Sequence, residues 1–321
     1  MTQNAYTRRD DSNRTLDSTG AYTDTDTDGN GNGNGNGSAD GRGAGRMTGT
    51  VLVTSGTGKT GRRVVERLAA LGVPVRSGSR TGEVPFDWQD DTGWEAALRG
   101  TEAAYVAYYP DLAVPGAAEA MAVFGRTAAA SGVRRVVLLS GRGEPQAALA
   151  EEALRGAAGS VEVTVVRSAF FAQNFSEGAL LDGVIGGELV FPAGTTAEPF
   201  LDLDDLADVV VAALTGDGHA GAVYELTGPR SLTFEEAAGV LGRAAGRPVR
   251  YVPVTGPAYA SLLEEFGVPG PEAGFLAELF AMLLDGHNAA PTDEVKRVLG
   301  REPKGFSGFA SEAARNGVWH R

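Results

Sequence analysis

Val51-Leu52-Val53-Thr54-Ser55-Gly56-Thr57-Gly58-Lys59-Thr60-Gly61-Arg62-Arg63-Val64-Val65-Glu66-Arg67-Leu68 runs from an apolar stretch through a glycine-rich turn into a segment whose Val64, Leu68 and then Leu71 recur at helical spacing. The unit reads as buried strand, turn and helix. Glycines at 56, 58 and 61 divide three tasks: a tight bend, close approach of backbone to a pyrophosphate, and close packing of helix on strand. The helix N-terminus then faces the anion. Three glycines alone are weak evidence, and a purely structural turn competes with a dinucleotide site. The position between strand and helix, at the head of an alternating region, favours the dinucleotide. The overlapping Gly58-Lys59-Thr60 resembles the end of a triphosphate-binding loop. That motif needs glycine five positions before Gly58, where Val53 stands inside the strand.

The end of the second strand separates two dinucleotides, because an acid there accepts hydrogen bonds from the adenosine ribose of NAD. The stretch Val75-Arg76-Ser77-Gly78-Ser79-Arg80 has no acid. It offers two guanidiniums and two hydroxyls where a 2'-phosphate would sit, and arginine binds phosphate in bidentate fashion. NADP(H) is the expected cofactor; arginines that merely solvate a loop would leave no preference.

The surrounding chain carries the same alternation. Val73 to Arg76 predicts a second strand, and Thr92-Gly93-Trp94-Glu95 has the form of a capping box before a helix ending near Gly100. Then come a strand over 103–108, a helix over 117–130, a strand over 136–139, a helix over 147–155 and a strand over 161–166. Such order predicts an α/β, Rossmann-type doubly wound parallel sheet. Beyond Arg167 we expect a helix over 206–214, a strand over 223–227, a capping box at Thr233-Phe234-Glu235-Glu236 opening a helix that stops at Gly246, and a strand over 249–252. Residues 259–284, rich in Leu, Phe and Met at helical spacing, read first as core and otherwise as a lid over a substrate. The expected division is 1–46 a disordered low-complexity tail, 47–167 the nucleotide-binding core, and 168–321 the remaining sheet elements with a smaller C-terminal substrate-binding region. Met47, just before the first strand, is an alternative start of translation, which the intact mass of the native protein decides.

At 321 residues and 42% apolar content the chain can bury a large core. A net charge of -13 leaves no cation surplus for general nucleic-acid binding. The acidity belongs to the folded part, since residues 1–46 hold seven Asp against five Arg. With no cysteine, disulfides, thiolate metal sites and a cysteine nucleophile are excluded. His219, His287 and His320 lie far apart and are expected at the surface, so no metal site is expected. No apolar run is long enough to span a bilayer and no signal peptide is apparent, which reads as a cytoplasmic protein without a membrane partner. Oligomeric state is not legible.

Several motifs resemble the NmrA-like branch of the atypical short-chain dehydrogenases. They are Val51-Leu52-Val53-Thr54 with the glycine turn, Val136-Val137-Leu138-Leu139-Ser140, Val166 to Phe175, Pro199 to Asp208, and Tyr224-Glu225-Leu226-Thr227-Gly228-Pro229. Gly58-Lys59-Thr60-Gly61, Ser79-Arg80 and Phe86-Asp87-Trp88 look most like the agroclavine and festuclavine dehydrogenase group, which implies reduction of iminium carbons. By the resemblance, Asp87 would sit near adenine. The family often has glycine where Ser55 stands, with Gly56 next in line for the turn, and Arg-Pro where this chain has Arg167-Ser168.

A typical short-chain dehydrogenase protonates its product from Tyr-x-x-x-Lys. Here only Lys59, Lys296 and Lys304 exist, preceded at that spacing by Ser55, Thr292 and Gly300, so the dyad is absent. Two readings follow. One is an NADPH-dependent reductase whose small-molecule substrate, planar or polycyclic, is already activated as a cyclic iminium, quinone or conjugated carbonyl. The other is a regulator that binds NADP(H) and reports redox state without turnover. Site residues are expected at the carboxyl ends of the strands. For the cofactor these are Gly56, Thr57, Gly58, Lys59, Thr60, Gly61, Ser79, Arg80, Asp87 and Ser140. For the substrate they are Tyr109, Phe170, Phe171 and Asn174, the phenylalanines being equally readable as core. Tyr108 either donates a proton or packs on nicotinamide.

Overall fold

The computed structural model describes residues 49–320. The first half runs β1 (Thr50–Val53), α1 (Lys59–Ala70), β2 (Val75–Ser79), β3 (Val84–Pro85), α2 (Trp94–Leu98), β4 (Thr101–Val106), α3 (Ala117–Ala130), β5 (Arg135–Gly141), α4 (Pro145–Ala157) and β6 (Glu162–Ser168). The second half runs α5 (Asn174–Glu177), α6 (Leu181–Gly186), β7 (Glu188–Phe191), β8 (Ala197–Glu198), α7 (Leu203–Thr215), β9 (Val223–Leu226), β10 (Leu232–Thr233), α8 (Phe234–Ala245), β11 (Arg250–Pro253), α9 (Gly256–Glu265), α10 (Gly270–Leu283), α11 (Glu294–Leu299) and α12 (Phe306–Arg315). The expected tail, 1–46, lies outside the described residues.

Seven strands form one parallel sheet in the order β3-β2-β1-β4-β5-β6-β9. Alternation along each strand builds two cores. Val51 and Val53 face Val64 and Leu68 of α1 and the apolar side of α7, while Leu52 faces Trp94 of α2, Phe124 of α3 and Leu154 of α4. The order reverses direction at β1 and β4, so their carboxyl ends border the crevice where such sheets bind ligands. A third cluster belongs to the second half, where Phe170, Phe175, Phe191, Phe200, Phe234, Phe280 and Phe306 pack mostly edge to face.

Local chemistry explains where the expectations shift. The second strand starts after Pro74, whose carbonyl accepts from Val51 N–H, and continues through the polar residues to Ser79. Leu71 caps α1 and is 49% exposed instead of sitting on the buried stripe. Thr92 and Glu95 do not form a capping box: Asp90 accepts from Thr92 N–H to cap a single 3-10 turn, and Glu95 pairs with Arg99. The box at Thr233 and Glu236 is present in full. The long helical run breaks into α9 and α10 at Gly267-Val268-Pro269, where Gly267 has φ +86°. His219 is half-buried, its Nδ1 2.7 Å from the Tyr224 hydroxyl, whereas His287 and His320 are exposed. Among the described residues no helix is long and apolar enough to cross a membrane.

The aromatic cluster gives a test. Phe191→Ala, emptying a site that is 1% exposed and stacked 4.9 Å from Phe234, is expected to cost about 3–5 kcal/mol, and Thr233→Ala about 1 kcal/mol, both read from urea unfolding midpoints.

Candidate functional site

The glycine turn is tied to both neighbouring strands. Thr54 Oγ1 donates to the Tyr105 carbonyl at 3.1 Å and accepts from Ala107 N–H at 2.9 Å, and Ser55 Oγ donates to the Ala107 carbonyl at 2.9 Å. On the other side Gly56 N–H donates to the Gly78 carbonyl at 2.9 Å. Ser55 takes the left-handed φ of +50°, so the strained position falls on it and not on Gly56. A Cβ on Gly56 would run into Ser77 Oγ, and one on Gly61 into the Ser55 carbonyl, backbone against backbone. Gly58 is extended at φ -75° and ψ 174°, a conformation open to any residue, so glycine there keeps backbone accessible and is not needed for the bend.

Helix α1 begins at this point with no side-chain cap and no acid in its first turn. Its N–H groups and the positive end of its dipole are therefore available to an anion. Thr57 and Thr60 complete the turn, Thr60 buried at 3% and Thr57 exposed. At the end of β2, two residues past the level of Val53, Ser79 Oγ is buried and finds no hydrogen-bond partner among the described residues. Next to it the exposed Arg80 lays its guanidinium 5.2 Å from the centre of the Tyr109 ring. Arg76, expected beside it, instead donates to the Ala97 and Arg99 carbonyls at 2.5 and 2.9 Å and closes the end of α2. An orphaned buried hydroxyl, one displayed guanidinium and an uncapped helix fit the 2'-phosphate and pyrophosphate of NADP(H).

Other expected site residues scatter. Asp87 folds back on its own turn, accepting from Gln89 N–H, while its carbonyl accepts from Trp94 Nε1. Ser140 donates to Glu151 at 2.6 Å, and Glu151 is also gripped by Arg167 at 2.7 Å, so that hydroxyl proton is committed. Phe170 and Phe171 are 7% and 0% exposed; they are core, the alternative the sequence left open. Asn174 is buried and accepts from Lys59 Nζ at 3.0 Å. Tyr108 is half-buried with its ring 5.1 Å from Trp88, and burial, then Glu119, raises its pKa.

Sequence reading missed how the start of α1 is held. Lys59, Arg62 and Arg63 all reach α5: Lys59 to Asn174, Arg62 and Arg63 to Glu177. The signal was the absence of any acid in that first turn, which leaves the cations to find one elsewhere. Burial, then Arg62 and Arg63, lowers the Lys59 pKa from 10.5 to about 8.

Among curated proteins the chain is 32% identical over 278 residues to the uncharacterized oxidoreductase YesF of Bacillus subtilis (strain 168), covering 84% of this chain and 96% of that one. It is 30% identical over 287 residues to agroclavine dehydrogenase of Claviceps fusiformis, covering 84% and 98%. The chain belongs to the NmrA-like family of atypical short-chain dehydrogenases. No family model matches it. Two solved structures share this family member's fold. A Citrobacter triphenylmethane reductase complexed with NADP(H) has a TM-score of 0.65 at 21% identity, covering 82% of this chain and 99% of its own. Nmra, a negative transcriptional regulator, has a TM-score of 0.62 at 16% identity, covering 84% and 98%.

Lys59 makes the site's electrostatics measurable. Its folded pKa near 8 lies below the unfolded 10.5, so between these values the unfolded chain holds more protons and stability rises with pH. The unfolding free energy should gain up to about 3 kcal/mol across that window, and Lys59→Met should flatten the rise in denaturant titrations.

Proposed function

We propose that this chain is an NADPH-dependent reductase that delivers hydride to a pre-activated acceptor: a cyclic iminium, a quinone or a conjugated carbonyl. The observation that carries the reading is the unpartnered buried Ser79 hydroxyl beside Arg80, at the level of an uncapped, acid-free helix start. Those groups would hold the 2'-phosphate and the pyrophosphate, with Gly56, Gly58 and Gly61 letting backbone approach. Once bound, the nicotinamide supplies the hydride. Agroclavine dehydrogenase among the relatives and the dye reductase among the structures support a small organic acceptor.

The protein's own contribution begins with position. Ser55, Thr54 and Trp88 Nε1 all bind the strand end at Tyr105 and Ala107, which fixes the path by which the chain leaves β4 toward Tyr108 and Tyr109. Tyr109 supports Arg80 and Asn174 supports Lys59, so both serve the cofactor side of the site. The Tyr-x-x-x-Lys pair is missing from the sequence. An acceptor that is already electrophilic needs orientation more than acid assistance, so this lack fits the reading. The same lack favours a second reading, a regulator that binds NADP(H) without turnover.

Calorimetric titration and acceptor assays test both. NADPH should bind more tightly than NADH, and Arg80→Ala should cut that preference by about 10- to 100-fold, the worth of a charged hydrogen bond to phosphate. Steady NADPH oxidation with a quinone or a cyclic iminium supports the reductase. Tight binding with no turnover of any acceptor supports the regulator, and NADH binding with none for NADPH overturns both.

A further inference from the structure

Strands β2 and β3 are joined by residues 80–83, and Gly82 lies within that turn, exposed to solvent. Its backbone does not account for the glycine, because its φ lies outside the left-handed region. Nor does a main-chain clash: the backbone atom nearest a Cβ built there is the Ser77 carbonyl oxygen at 3.7 Å, an ordinary contact. What a Cβ would meet is the Ser79 hydroxyl, at 2.5 Å. That hydroxyl belongs to a residue only 8% exposed and finds no hydrogen-bond partner among the described residues. A buried polar group left unpaired is costly and calls for a reason. The glycine and the orphaned hydroxyl face each other, and one reason covers both.

We propose that Gly82 is a specificity-determining residue of the cofactor site: having no side chain, it leaves the Ser79 hydroxyl the direction and the room to donate to the 2'-phosphate of NADP(H). The inference rests on the cofactor half of the reading above. The turn is held at its base, where Phe86 N–H donates to the Ser79 carbonyl at 3.0 Å, while residues 81–83 make no main-chain hydrogen bond among the described residues. Gly82 can therefore move off the hydroxyl as a phosphate arrives without breaking such a bond. A methyl at this position has two ways to fit, and both remove the phosphate donor. Either it fills the space in front of Oγ, or Oγ turns about χ1 to another staggered position and points elsewhere. Turning a serine side chain between staggered positions costs little, so the loss falls on phosphate recognition and not on the fold. NADH carries no 2'-phosphate and loses no bond there.

A double-mutant cycle on cofactor selectivity is the test. Kd for NADPH and for NADH is measured by calorimetric titration of the full chain as wild type, Ser79→Ala, Gly82→Ala and the double variant, with urea unfolding as the check on folding. Expected is a wild type that prefers NADPH. Ser79→Ala should cut that preference about 10-fold or more, the worth of a hydrogen bond to a charged group, and Gly82→Ala should cut it to a similar extent with no lower unfolding midpoint. The double variant should match either single one, because both changes remove the same bond. A Gly82→Ala protein that keeps the wild-type preference overturns the proposal, and so does one that loses NADPH and NADH equally. Additive losses in the double variant overturn it too, since the two residues then act separately. Should Ser79→Ala retain the full preference, Ser79 is no phosphate ligand and the proposal falls. If wild type itself shows no preference for NADPH, the cofactor reading has failed and takes this proposal with it.

Discussion

Helix α1 begins with three cations, Lys59, Arg62 and Arg63, at the end of a helix whose dipole is already positive, and the fold is arranged around answering them. Arg67, one turn further, continues the row. The reply comes from the second half of the chain. Glu177 of α5 meets Arg62 and Arg63, and Asp204 and Asp208 of α7 meet Arg67 at 3.0 and 2.5 Å. Asp204 and its neighbour Asp205 stand in the first turn of α7, where carboxylates suit the helix dipole, so the start of α7 supplies charge that the start of α1 lacks. Individually such part-exposed pairs contribute little, roughly 0–1 kcal/mol each. Asp202 and Asp205 differ, being 1% exposed, and Lys304 and Arg301 are the charges that let those carboxylates be buried.

The sheet was legible because its strands are buried on both faces, and short apolar runs between helical periods have few other uses. Helix α3 falls on the predicted residues, and the other main elements fall within a few residues of theirs. β11 falls one residue from the strand expected over 249–252, but its partner β7 was not legible, because it depends on that distant pairing and nothing local in Glu188–Phe191 distinguishes it from loop. The two capping boxes show how narrow the margin is. Thr233 has no competitor and caps α8, whereas Thr92 stands two residues after Asp90, a stronger acceptor that captures the Thr92 N–H first and leaves Glu95 to Arg99.

In the candidate site Gly61 was readable for a similar reason: its requirement is set by backbone a few residues away, at Ser55. Long side chains were not readable, because their ends report on tertiary neighbours. Arg76 and Arg80 looked equivalent in the sequence, yet one turns toward the carbonyls ending α2 and the other lies over an aromatic ring. Phe170 and Phe171 follow β6, where substrate contacts are expected, but Phe170 enters the second-half aromatic core and Phe171 the sheet core. Consecutive residues leaving a strand point to opposite sides, so this pair bridges two cores instead of lining one cleft.

The joint between these cores is made by polar groups whose geometry is directional. Asn288 and Arg142 exchange bonds, the Arg142 guanidinium donating to the Asn288 carbonyl at 2.7 Å and the Asn288 amide to the Arg142 carbonyl at 3.1 Å. Glu198 accepts from Phe170 N–H, and burial, opposed by that bond and by Arg142 and His287, lifts its pKa to about 7. Apolar packing tolerates small slides, but a buried donor that loses its acceptor is left at a cost of about 1–3 kcal/mol. The segment leaving β6, the loop after β5 and the residues before α11 are thus held in one register by bonds that permit few alternatives. All three lie at the carboxyl end of the sheet. The rigidity at that end of the sheet is therefore built where the second half of the chain meets the first, in contacts that neither half could supply alone.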